Sequence, residues 1–219
     1  MTVALQPEHD CALCPRLVEF RTQNQTKFPE FHNAPVQSFG NLEARLLIVG
    51  LAPGLKGANQ TGRPFTGDYA GDLLYATLLK YGLAEGRYGA SPDDGLRLVD
   101  CRVTNAVRCV PPENKPVGAE VTACRAFLQS EIDAMTNLQV VVALGGLAHN
   151  AFLAGLGARK SVYKFAHCAV HQVPAGDRLL KLTDSYHCSR YNTNTGRLTT
   201  EMFEAVFETV RQQMADITL

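Results

Sequence analysis

Residues 44 to 50, ARLLIVG, constrain the fold more than any other stretch of the chain. A compact apolar run closed by glycine has no polar alternation to show to water. It therefore reads as a strand buried on both faces, as in a parallel sheet covered by helices. It passes directly into a Gly/Pro-rich loop, LAPGLKGANQTGRPFTG, and then into GDLLYATLLKYG, where Leu74, Leu78 and Tyr81 fall at helical spacing. The pattern recurs. Residues 96 to 104 (LRLVDCRVT) predict a second strand, 117 to 135 a helix, 138 to 144 a third strand followed by Gly-Gly and another helix, and 179 to 182 a fourth strand. A short helix over 11 to 20, with Pro15 near its first turn, precedes a surface loop over 22 to 35. A long amphipathic helix over 198 to 217 closes the chain, with Met202, Val206, Val210 and Met214 at fourfold intervals.

This alternation predicts an α/β fold: a three-layer α/β/α sandwich around a central, mostly parallel four-stranded sheet, in one domain over residues 1 to 219. Sites in such folds gather beyond the carboxyl ends of the strands, where three polar loops fall. A chain of 219 residues, 46% hydrophobic, closes a sizeable core without a metal or disulfide to hold it together. Disordered and fibrous classes are excluded. The longest apolar run, residues 140 to 148, is far short of the roughly 20 needed to cross a bilayer, and the opening MTVALQPEHD lacks the pattern of a secretory signal. The expected setting is cytoplasmic, with no membrane partner.

Seven cysteines make an odd number for a disulfide framework. Cys11 and Cys14 form a C-x-x-C pair, and Cys109 and Cys124 a wider one. The proline after Cys14 lies outside the pair, and no thioredoxin-like pattern surrounds it, which speaks against a redox disulfide. Four thiolates hold either zinc or an iron-sulfur cluster, and softness alone does not separate the two. Cys101 and Cys168, set among apolar residues, are expected in the core.

The loop over 50 to 68 has neither the P-loop nor the dinucleotide pattern, yet its glycines let a flat ligand approach the backbone. Phe65 is its one aromatic ring, either a packed residue or a platform for a planar base. Asn105 stands after the second strand, where its amide can read a base edge or simply make a turn. His187 follows the fourth strand among Ser, Thr and Asn, a setting that His149, His167 and His171 lack.

Together, GLAPG with TGRPFTGD, NAVRCVPPENKP and HCSRYNTNTGRLT resemble the motifs of the uracil-DNA glycosylase superfamily, most closely its iron-sulfur family-5 (type b) enzymes, over nearly the whole chain. The resemblance implies a four-iron four-sulfur cluster held by Cys11, Cys14, Cys109 and Cys124, with a structural role. It also implies excision of uracil, with deaminated purines (hypoxanthine, xanthine) as further substrates, and DNA, duplex or single-stranded, as partner to a monomer. Leu55 stands where family-4 enzymes carry an acid, so no carboxylate base is available there. Cys188 departs from the family's His-Pro-Ser sequence and puts the rigidity of the closing loop in question.

Excision requires that the nucleotide be extruded and that charge on the departing base be met by donors. His187 is assigned to the leaving-base oxygen, the backbone of Ala52 to Gly54 to the same pocket, Phe65 to stacking, and Asn105 to base recognition or water positioning. Asp68 either orients water or caps the following helix. Arg63, Arg190 and Tyr191 are expected to touch DNA, with Arg190 on a phosphate and Tyr191 as the wedge. The competing reading is a non-catalytic damaged-DNA-binding relative; a zinc-bound nucleotide-binding protein is a further one.

The chain balances 21 basic against 21 acidic residues, which at first argues against nucleic acid. The three loop-bearing segments, however, carry Lys56 and Arg63; Arg102, Arg108 and Lys115 against Glu113; and Arg178, Lys181, Arg190 and Arg197 against Asp184. The last helix carries Glu201, Glu204, Glu208 and Asp216 against Arg211. The expectation is a local basic surface around the pocket with a shallow salt dependence.

Overall fold

A computed structural model describes residues 3 to 215. The elements run α1 (Pro15–Lys27), β1 (Phe39–Gly40), β2 (Leu46–Gly50), α2 (Ala58–Thr61), α3 (Tyr69–Lys80), β3 (Ala84–Glu85), β4 (Arg97–Leu98), β5 (Cys101–Asn105), α4 (Gly118–Ala134), β6 (Val140–Leu144), α5 (Gly146–Gly155), β7 (Val170–Ala175), β8 (Arg178–Ser185), α6 (Arg190–Asn194) and α7 (Thr200–Ala215).

The main sheet has the order β1-β5-β2-β6-β8-β7. Its four inner strands are parallel, as expected, and β1 and β7 pair antiparallel at the two edges. The sheet is therefore six-stranded rather than four-stranded. The added strands gave little signal for physical reasons. β1 is two residues long, and β7 is an edge strand with Val170 exposed, Val173 buried and Pro174 tolerated where a central strand would need its N–H.

Alternate residues of β2 serve the two helical layers. Leu46 and Ile48 pack with Leu74 and Leu78 of α3 and Phe203, Val206 and Phe207 of α7. Leu47 and Val49 pack on the other face with Leu128 and Ile132 of α4 and Phe152 and Leu153 of α5. All are buried, each worth about 1.5–3 kcal/mol against exposure. Asp216 and Ile217, to which the predicted last helix extends, lie outside the described residues.

Predicted boundaries move: the first helix starts at Pro15 rather than at residue 11, and the fourth strand runs over Arg178–Ser185 rather than 179 to 182. Residues 96 to 104 do not form one strand: the chain breaks at Asp100, whose φ of 51° is left-handed and whose carboxylate accepts the Arg45 N–H at 2.8 Å. The stretch before the break pairs with β3 in a small hairpin, and the stretch after it joins the main sheet. The first helix runs to Lys27, across part of the segment expected as loop. Its buried face carries Arg21 and Asn24 beside Leu17, so apolar periodicity does not register it.

Buried charge ties the layers together. Glu131 of α4, fully buried, receives Arg102 of β5 at 2.6 Å and Arg108 at 2.7 Å. Arg102 also bonds the Gly40 carbonyl and Arg108 the Ser38 hydroxyl, which holds β1 to the sheet edge. No helix among the described residues is long and apolar enough to cross a membrane.

Candidate active site

The four inner strands end together. Gly50 of β2 stands opposite Asn105 of β5, and Leu144 of β6 opposite Ser185 of β8. Gly50 cannot be anything larger, because a Cβ there would collide with both the Asn105 amide oxygen and the Phe65 ring. Those two candidate residues, forty apart in sequence, therefore meet at one backbone position. Asn105 is 3% exposed, and its Oδ1 has no hydrogen-bond partner. An orphaned buried acceptor costs about 1–3 kcal/mol unless a donor meets it, so the amide oxygen is open to a donor.

Phe65 takes the left-handed backbone conformation, φ 52°. It is fixed there by neighbours: Tyr75 Oη donates to the Pro64 carbonyl at 2.5 Å, Tyr88 Oη to the Phe65 carbonyl at 3.4 Å, and Gly71 leaves no room for a Cβ against that same carbonyl. The Phe65 ring stacks toward the His187 imidazole, centroids 6.1 Å apart and planes at 27°.

His187 lies two residues beyond β8. Its carbonyl accepts Asn192 Nδ2 at 2.8 Å, and Ser189 caps α6 by accepting the Asn192 N–H. Cys188, the residue in question for loop rigidity, is a fully buried thiol in the core under α7. The loop is thus pinned by packing and side-chain bonds in place of a proline. Burial pushes the His187 imidazole down to about 4, so at neutral pH the ring is uncharged and has one N–H to donate.

A cleft of about 820 Å³ is lined by Ala52, Gly54, Leu55, Asp68, Tyr69 and His187, whereas Phe65 and Asn105 are buried and do not line it. Asp68 does two things at once. Its Oδ1 caps α3 by accepting the Gly71 N–H at 3.2 Å, while its Oδ2 lies against Gly54 and Gly57, where a side chain would strike it. Burial raises its pKa above the usual carboxylate value. Arg190 sits on the rim over the Tyr69 ring at 5.5 Å, and Tyr191 beside it is 72% exposed. Tyr69 was not anticipated; its only sequence signal is its position directly after the capping Asp68.

Arg63 is not a surface contact. It is 5% exposed and clamps Asp94 with two bonds of 2.8 and 2.7 Å, between the rings of Phe39, Tyr75 and Tyr88. Its guanidinium has no face left for a phosphate, and the pairing holds the Asp94 carboxyl well below its ordinary range. The basic surface expected from segment charges shrinks for the same reason. Arg102 and Arg108 are spent on Glu131, and Arg178 and Lys181 bond the ends of α4 and α7. Lys56, Lys115, Arg190 and Arg197 remain exposed.

The four cysteines converge away from the cleft. Cys14 is the N-cap of α1, Cys124 lies within α4, and Cys109 follows β5; with Cys11 they share a compartment with Leu17, Val107 and Phe127. Arg21 donates to Cys109 Sγ at 3.9 Å and to the Cys11 carbonyl at 3.1 Å, and Arg16 bonds both Glu120 oxygens, joining α1 to α4. All four are free thiols. Burial, and then the charge of the neighbouring sulfurs, pushes Cys14 up to about 11 and Cys109 up to about 12. An all-sulfur set in an apolar shell suits a cationic cluster or ion at its centre. Cys101 is buried as expected, whereas Cys168 is exposed in a turn at φ 62°, because the segment around it forms the outer connection to an edge strand.

The family model described as the uracil DNA glycosylase superfamily matches residues 37 to 211. The chain is 46% identical to the type-5 uracil-DNA glycosylase of Thermus thermophilus over 92% of this chain and 93% of that protein. It is 40% identical to the type-5 uracil-DNA glycosylase of Mycobacterium leprae over 92% and 90%, and 38% identical to that of Pyrobaculum aerophilum over 94% and 89%.

Proposed function

The chain belongs to the uracil-DNA glycosylase superfamily, among its type-5 members, and on that premise we propose how its residues act. The protein is a hydrolase of DNA repair that excises uracil from DNA by breaking the N-glycosidic bond. The single observation that carries the assignment of roles is the contact chain Asn105–Phe65–His187: Asn105 and Phe65 meet at Gly50, and the Phe65 ring faces His187, which lines the cleft.

A base within a duplex is out of reach, so the nucleotide is extruded into the cleft. There the Phe65 ring supplies a stacking surface and the Asn105 amide reads the base edge. Bond cleavage leaves negative charge on the departing base and positive character on the sugar. Neutral His187, with one N–H and no competing charge, donates to the base oxygen where that charge appears, and the backbone of residues 52 to 54 lines the same pocket. Leu55 offers no base. The carboxylate in the cleft is Asp68, whose Oδ1 is committed to the helix cap and whose free Oδ2 orients the water. Arg190 contacts a phosphate, and exposed Tyr191 fills the gap left in the stack. Cys11, Cys14, Cys109 and Cys124 would hold a four-iron four-sulfur cluster, which when bound staples α1 to α4 and takes no part in the bond cleavage.

A uracil-containing duplex, incubated with the protein and then treated with alkali, should be cut at the uracil; a non-catalytic binder of damaged DNA would retain the duplex and leave it whole. The same assay with hypoxanthine and xanthine tests the broader pocket, for which the wide cleft lined by Ala52, Gly54 and Leu55 speaks.

A further inference from the structure

Behind the cleft, three residues from three elements converge: His149 of α5, His171 of β7 and Asp184 of β8. One ligand-type atom from each lies within 4.8 Å of the other two. His149 and Asp184 are essentially inaccessible, and His171 is partly exposed, its side chain 17% accessible. The excision mechanism uses none of the three.

Their hydrogen bonding does not close with a neutral imidazole beside an ionised carboxylate. His149 Nδ1 stands 2.7 Å from Asp184 Oδ1, and His149 Nε2 stands 2.9 Å from the Tyr163 carbonyl oxygen. Both neighbours are acceptors, and a neutral imidazole has one N–H. If Nε2 donates to Tyr163, the lone pair on Nδ1 faces a carboxylate unless a positive charge sits between them. On the other side, Asp184 Oδ2 and His171 Nε2 are 3.4 Å apart, each buried and each without a hydrogen-bond partner.

We propose that His149 Nδ1, His171 Nε2 and the Asp184 carboxylate form a binding site for one zinc-type divalent ion. Two imidazoles and a carboxylate are the donor set such an ion takes, with bonds of about 2.0–2.2 Å that the three atoms reach by small side-chain movements. The Nε2–H to Tyr163 carbonyl bond is the outer contact that fixes a ligating histidine's tautomer. One ion satisfies both orphaned atoms and the misfit at Nδ1 together. It enters past the partly exposed His171. Bound there, it ties α5 to the β7–β8 hairpin, three residues before His187.

The test is titration of the full chain, its cysteine site loaded with iron, with zinc chloride, followed by zinc X-ray absorption of the one-equivalent complex. The expected result is one zinc per chain with a nitrogen and oxygen shell. His171→Ala should weaken binding at least about 100-fold, with unchanged iron content and circular dichroism, while His167→Ala binds as the parent does. His171→Gln serves in place of alanine if the latter disturbs β7. No zinc uptake, a sulfur-dominated shell, or undiminished binding by the His171 variants would overturn the proposal, and the charge at His149 would then be a proton.

Discussion

The imidazole of His187 and the ring of Phe65 lie 6.1 Å apart at 27°, although 122 positions separate them along the chain. The pair sets one donor beside one stacking surface, and the missing Cβ of Gly50 leaves the Phe65 ring its place. His187→Ala should lower single-turnover uracil excision at least about tenfold, the equivalent of about 1.4 kcal/mol, while affinity for uracil-free duplex is retained. Near-full activity in that variant would remove His187 from the leaving-base role.

With its pKa pushed down to about 4, His187 stays neutral through the physiological range. The excision rate should therefore show no His187 inflection near 6.5 and should fall only as pH approaches 4. Stability follows the same displacement. The unfolded chain takes up the proton near 6.5 and the folded one only near 4, so the His187 contribution is present above about 6.5 and shrinks as pH falls through that window. Denaturation midpoints at pH 7 and pH 5 should accordingly differ more for the parent than for His187→Gln.

Asp68 separates its two duties under one substitution. Asparagine caps helices about as well as aspartate, so Asp68→Asn should keep stability within about 0.5 kcal/mol. Its excision rate should drop at least about tenfold if Oδ2 orients the water. Comparison of urea unfolding with single-turnover rates decides it: an active, equally stable variant would reduce Asp68 to a cap.

Arg63 and Arg190 should part company. Arg63→Gln leaves Asp94 buried and uncompensated, with an expected cost of about 3–5 kcal/mol in denaturant unfolding. Arg190→Ala should leave stability alone, weaken duplex binding across sequences, and reduce the slope of log affinity against log salt by about 1. A salt slope altered by Arg63→Gln but not by Arg190→Ala would reverse the assignment.

For the cysteine site, Cys109→Ser should abolish iron and acid-labile sulfide in anaerobically purified protein and lower its melting temperature. Stoichiometric zinc in colourless parent protein would instead show that the four sulfurs hold a different metal.

The parallel core was legible because burial on both faces leaves its mark residue by residue: ARLLIVG and the run at 138 to 144 admit few other placements. That His187, Asn105 and Phe65 lie near strand ends was legible too, since the loops that carry them follow the strands directly. Reading failed where a residue's role depends on a partner distant in sequence. Arg63 looked like a free cation until the fold brought Asp94 and three aromatic rings around it. Arg102 and Arg108 looked like a DNA-facing charge until Glu131 met both. The helical stretch from Thr22 to Lys27 hid because its buried residue, Asn24, is polar, and β7 hid behind the alternation of an edge strand. His149, His171 and Asp184 had no common signal at all. Sequence by itself determined the α/β class, the order of the inner strands' elements and the loops that carry the site, because local hydrophobic pattern and turn chemistry are short-range. Only tertiary structure decided which charges face solvent and which are consumed inside, because pairing energy depends on distance and burial, and neither is written along the chain.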